Sequence, residues 1–164
     1  SNSDERRIFN QSSDFYFNKI FKLVNNFFDD LKTDGSWCYW PSDYKNENNQ
    51  QNLHPEDVGH GVVEIDFACE YNKFYPNAIF KSKLGLITQN VENNIYKNSL
   101  YVSKYLNGTD SLKTPATLAS WMPLTEYNPN IYNIVLDIYQ DDSYGHPYTR
   151  IYKPENSEIW WGTI

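Results

Sequence analysis

Apolar residues fall at three- and four-residue steps through most of this chain, and that period points to helices rather than strands. Over 4–33 the series Ile8, Phe9, Phe15, Ile20, Phe21, Val24, Phe27, Phe28 and Leu31 predicts a first amphipathic helix. It stops near Thr33-Asp34-Gly35, where Gly35 supplies a left-handed cap. After a polar connection over 34–55, Pro55-Glu56-Asp57 reads as the acidic opening of a second helix that runs to Tyr75-Pro76. Asn77 is placed to cap a third, carrying Ile79, Phe80, Leu84, Ile87, Val91 and Ile95. The gap between the second and third helices is so short that they form a tight hairpin.

A second long connection covers 97–116, with an extended piece over 100–105. A short helix over 116–127 follows and is broken at Asn128-Pro129. A last helix over 130–140 carries Ile131, Ile134, Val135 and Ile138. The tail, 141–164, reads as irregular or short strands. The fold class is therefore all-α, one domain over 1–164 made of antiparallel helical hairpins. Connections alternate long and short, and successive turns of such hairpins fall at opposite ends. The long ones, with the tail, are thus expected at one common end, where functional residues collect on loops.

The chain carries 14 Tyr, 9 Phe and 5 Trp, more rings than a small core needs, which directs attention to a recognition surface. Its formal charge is −7 and its basic residues do not cluster, so nucleic acid is not an expected partner. No stretch has the length of a membrane span. Ser1-Asn2 reads as a trimmed boundary, leaving room for an export signal upstream, and a secreted or periplasmic setting is expected. Cys38 and Cys69 lack metal spacing, and a bridge between them is not expected.

The sharpest local feature is Glu56-Asp57-Val58-Gly59-His60-Gly61, a histidine between glycines at the start of a helix. Each glycine costs up to about 1 kcal/mol relative to alanine there. Either close helix packing or the close approach of a ligand must offset that cost, and ligand approach is the expectation. His60 is pushed toward neutrality by the helix dipole and toward the charged form by Glu56, Asp57 and Glu64, which suits a general base or acid. The plainer reading is a histidine that bonds the neighbouring loop. His60 and Glu64 stand one turn apart as ligands would, but no second histidine-rich element completes a site, so no metal or other cofactor is expected.

Trp37, Tyr39 and Trp40 are expected to stack on sugar rings while Glu56, Asp57 and nearby amides bond hydroxyls, although at least one of the three rings should plug the core. Tyr101, Tyr105, Tyr148, His146 and Arg150 are placed at the same end, with Arg150 suited to a carboxylate and His146 or a tyrosine to proton transfer. The plainer reading of the tail is a strand covering the hairpins, with Trp160-Trp161 as an anchor. Asp57 and Glu64 do not make a hydrolytic pair, since one helix cannot flank a bond from both sides.

Taken together, Trp37-Cys38-Tyr39-Trp40, the Glu56 to Gly61 segment and Trp121-Met122-Pro123-Leu124-Thr125-Glu126-Tyr127-Asn128-Pro129 resemble bacterial (α/α)-toroid carbohydrate-active proteins, the polysaccharide lyase, glucuronyl epimerase and glycosidase group. The resemblance spans most of 30–142. It implies a partial toroid, His60 at its mouth as base, and β-elimination on an acidic, uronic-acid polysaccharide, with Arg150 or His146 neutralising the carboxylate. Fewer than half the helices of a six-hairpin toroid are present, which implies a fragment or a reduced relative, with a further domain of the same protein as a partner. A non-catalytic glycan-binding or protein-interaction module is the alternative.

Overall fold

The structure, a computed structural model, describes residues 2–39, 54–113 and 115–140, with side chains from residue 12 onward except at 115 and 116. It is mostly helical: α1 spans Asn2–Asp29, α2 Gly61–Phe74, α3 Ala78–Asn90 and α4 Asn130–Gln140. A π turn, Val91–Ile95, extends α3, and a 3-10 helix, Pro115–Glu126, precedes α4. Strands β1, Tyr96–Asn98, and β2, Tyr101–Val102, pair antiparallel between them.

Helix α1 ends short of the expected boundary. A turn closed by the Gly35 N–H on the Lys32 carbonyl (3.0 Å) follows it, and Gly35 takes the left-handed conformation (φ 82°). A Cβ there would lie 2.5 Å from the Leu86 carbonyl oxygen, so glycine is required for space as well as for φ. Val24 and Phe28 bury one stripe of α1, Leu31 is buried just past its end, and Phe28 stacks on Phe80 at 4.8 Å. Phe15, Tyr16, Ile20 and Leu23 remain exposed beside that stripe.

The hairpin of α2 and α3 turns at 75–77. Asn77 caps α3 by accepting the N–H groups of Ile79 (2.8 Å) and Phe80 (3.4 Å), and its own N–H is held by the Asn72 side chain (3.1 Å). The 3-10 form of the next helix has a sequence reason. Leu118, Trp121 and Leu124 stand three residues apart, so a three-residue turn aligns them on one edge, and all three are fully buried. Pro123 within the segment lacks the N–H that an α-helical bond needs. Helix α4 packs its Ile131, Ile134, Val135 and Ile138 stripe into the same core.

Asparagines bolt the second connection to α3. The Asn90 side chain donates to the Leu106 carbonyl (2.8 Å), and Asn94 donates to Asn90 (2.7 Å). Ser103 donates through its hydroxyl to the Asn94 carbonyl (3.0 Å). Cys38 and Cys69 are both buried and not bonded to each other. Among the described residues no helix is long and apolar enough to cross a membrane.

Candidate functional site

Pro55, Glu56 and Asp57 do not begin α2. Pro55 pairs with Cys38 and Asp57 with Tyr105 as antiparallel bridges, and the helix starts only at Gly61. The reason lies in Asp57 itself. Its Oδ1 accepts the N–H groups of Gly59 and His60, each at 2.9 Å, and its carbonyl accepts from Gly61 (3.0 Å). A short aspartate that bonds backbone two and three residues ahead makes a turn rather than a helical residue.

Both long connections hold this segment. The Glu56 N–H donates to the Trp37 carbonyl (3.1 Å) and the Tyr39 N–H to the His54 carbonyl (2.9 Å) on the side of the first. On the side of the second, the Val58 N–H donates to the Lys104 carbonyl (3.0 Å) and the Leu106 N–H to the Glu56 carbonyl (2.8 Å). Trp121 completes the frame from below, its indole Nε1 donating to the Val58 carbonyl (3.0 Å). The first and second connections therefore meet at Glu56 to Val58.

In that frame His60 Nδ1 donates to Asp57 Oδ2 at 2.5 Å, with the imidazole side chain 70% exposed. The Asp57 hydrogen bond and charge raise the His60 pKa above its ordinary value. Burial works to raise that of Asp57, but the bonds from the His60 ring, the His60 N–H and the Gly59 N–H outweigh it and hold the carboxyl low. Glu56, only 3% exposed, behaves oppositely. Burial, with the nearby Glu64 and Asp57 carboxylates, pushes it up to about 7 against the pull of the Asp57 N–H and His60. The Tyr39 ring stands edge-on to the imidazole, 5.9 Å between centres, and is 45% exposed. An outward imidazole oriented through Nδ1 by a carboxylate has Nε2 available for proton transfer.

The expected site residues part company here. Asp57, His60, Glu56 and Tyr39 come together, and Tyr105 joins them through its bridge to Asp57. Trp37 is not a sugar platform. It is 3% exposed and packs on Trp121 (6.2 Å) and Phe27 (5.3 Å), so it is a ring of its loop that plugs the core, as at least one of the three was expected to. Tyr101 lies on β2 opposite Asn98 with Lys113 over its ring, and no described contact links it to His60. Trp40, His146, Tyr148 and Arg150 lie outside the described residues.

Close packing, not ligand approach, accounts for Gly61. A Cβ there would lie 3.1 Å from a Trp37 ring carbon and 3.3 Å from one of Trp121. Sequence reasoning missed Lys104, whose carbonyl holds Val58 and whose ammonium lies 4.8 Å from the Tyr105 ring centre. It also missed Trp121 as the support of the histidine turn. Both act across long sequence separations, for which a single chain carries no local signal.

No family model, curated protein or solved structure matches the chain.

Proposed function

We propose that this chain is a carbohydrate-active domain of (α/α)-toroid type that acts on an acidic, uronic-acid polysaccharide, outside the cytoplasm, with His60 as its proton-transferring group. The single observation that carries the reading is the 2.5 Å His60–Asp57 pair beside an exposed tyrosine ring. An imidazole fixed through one nitrogen and open at the other is the arrangement of a general base. A tyrosine face next to it offers the C–H surface of a pyranose a platform. The uncovered apolar row on α1 also agrees with a helical assembly larger than the described hairpins.

In β-elimination His60 Nε2 takes the proton on the carbon next to the uronate carboxylate. The electron pair forms a ring double bond as the glycosidic C–O bond breaks, and the departing oxygen gains a proton. Developing charge on the carboxylate needs a neutralising partner. Arg150 and His146 are the sequence candidates, and Lys104 is a described cation attached to the same frame.

The test is a panel of uronate glycans assayed for ultraviolet-absorbing unsaturated products. Activity on one of them, lowered on the order of 100-fold or more by His60→Ala and by Asp57→Asn, supports the reading. A panel without product sinks catalysis. The second reading, a binding module, is favoured by the exposure of Tyr39. It predicts glycan affinity that survives His60→Ala and falls with Tyr39→Ala.

A further inference from the structure

We propose that α1 pairs with the α1 of a second copy of this chain through the row Tyr16, Ile20 and Leu23. The helix carries two apolar rows one residue apart. Phe17, Phe21, Val24 and Phe28 form the row that meets the body of the molecule, with Phe17 edge-on to Tyr75 (4.9 Å), Phe21 beside Phe80 (6.4 Å), and Val24 and Phe28 buried. Tyr16, Ile20, Leu23 and Phe27 form the other. Phe27 is half-buried against Phe28 (5.2 Å) and Trp37 (5.3 Å), whereas Tyr16 and Leu23 are 64% and 61% exposed. Steps of four, three and four residues are those of a coiled-coil seam, whose complement is another helix. Asn18, Lys22, Asn25 and Asp29 occupy the opposite face of α1, which stays in water.

Two further observations favour a second copy as the occupant. Every residue over 12–23 is exposed, so this stretch of α1 has little packing of its own. Helices in proteins owe most of their stability to a packed face, and one of about 12–15 residues without it is marginal in water. The second observation is area. Phe15, Tyr16, Phe17, Ile20, Phe21 and Leu23 are between 37% and 64% exposed. At roughly 200 Å² per side chain they leave about 600 Å² of apolar surface on one stretch of helix. A stable interface buries about 800 Å² on each partner, roughly three-fifths of it apolar, so this surface matches one half of a dimer. A two-fold axis brings the same row of each chain together and leaves no open copy.

The test is sedimentation equilibrium on the full 164-residue chain at micromolar concentration, where a dimer in reversible exchange with monomer is expected. Ile20→Glu and Leu23→Glu put a charge into the row and should each weaken dimerisation at least about tenfold. Lys22→Glu, on the opposite face, should leave it unchanged. Ile20→Ala combined with Leu23→Ala trims the row while raising helix propensity, so it separates loss of the interface from loss of the helix. It too should weaken dimerisation, with the helical circular dichroism of the parent retained. A chain that stays monomeric overturns the proposal and leaves the row to another occupant, a segment of the same chain or a different protein. A dimer unaffected by the paired alanines overturns it as well. The proposal does not rest on the glycan reading: monomeric protein that processes glycan removes the dimer alone, and a dimer without glycan activity removes only the catalytic reading.

Discussion

The Trp121 indole donates to the carbonyl of Val58, two residues before His60, from a helix edge in which Leu118 and Leu124 are equally buried. The bond fixes the Val58 carbonyl at the base of the histidine turn. Trp121→Phe leaves that carbonyl without its donor at a cost of about 1–3 kcal/mol, apart from any loss of packing. Urea unfolding should show that loss, and the His60 ring proton resonances should shift with it. Unchanged stability would mean that the indole contributes bulk alone.

Gly61→Ala opposes two effects. Helix propensity gains about 1 kcal/mol, whereas the new methyl meets Trp37 and Trp121 rings that are themselves buried and cannot retreat. Overpacking of this kind costs about 1–3 kcal/mol, so net destabilisation is expected in thermal melts. A variant more stable than the parent would show that the two tryptophans yield.

Glu56 links stability to pH. Its folded value, about 7, is raised above the ordinary 4.5, so its contribution is fully present below 4.5 and is lost as pH rises through 7. Glu56→Gln keeps an acceptor for the Asp57 N–H while removing the charge. It should leave stability at pH 4 almost unchanged and raise it at pH 8, by on the order of 3 kcal/mol at most. Melting curves across that range check the sign, and an equal effect at both ends contradicts it.

The His60–Asp57 pair has the opposite linkage on its acidic side. Asp57, held below its ordinary 3.8, contributes above 3.8 and loses its contribution as pH falls through its folded value. His60, raised above 6.5, contributes fully below 6.5 and loses that contribution as pH rises through its folded value. Proton resonances should therefore titrate above 6.5 in the parent and move back toward 6.5 in Asp57→Asn. Coincident titrations in the two proteins would show that the pair does not form in solution.

Local signals carried the reading of the helices a long way. Helix α4 lies where Ile131 to Ile138 set it, α3 begins at its Asn77 cap, and the 3-10 helix falls on the expected short segment. The start of α2 failed for an informative reason. Acidic residues after a proline are a helix signal, but Asp57 satisfied its own turn, and the preceding backbone found partners in Cys38 and Tyr105 that no window of sequence contains. That a ring of this loop would plug the core was legible, but not that it would be Trp37, since a polar neighbourhood in sequence says nothing about Trp121 and Phe27, which cover it. His60 and Asp57 were legible as chemistry, since a spacing of three lets them meet in a helix as well as in a turn, but the turn that Asp57 Oδ1 makes was not.

The ladder joining Lys104 and Leu106 to Val58 and Glu56 makes the imidazole answerable to a stretch of chain some forty residues further on. Lengthening or shortening the hairpin of β1 and β2 by a residue would shift the register of that ladder and re-aim the histidine without altering any side chain around it. Variation in that hairpin is thus a route by which related chains could retune one reactive group while leaving the helices untouched.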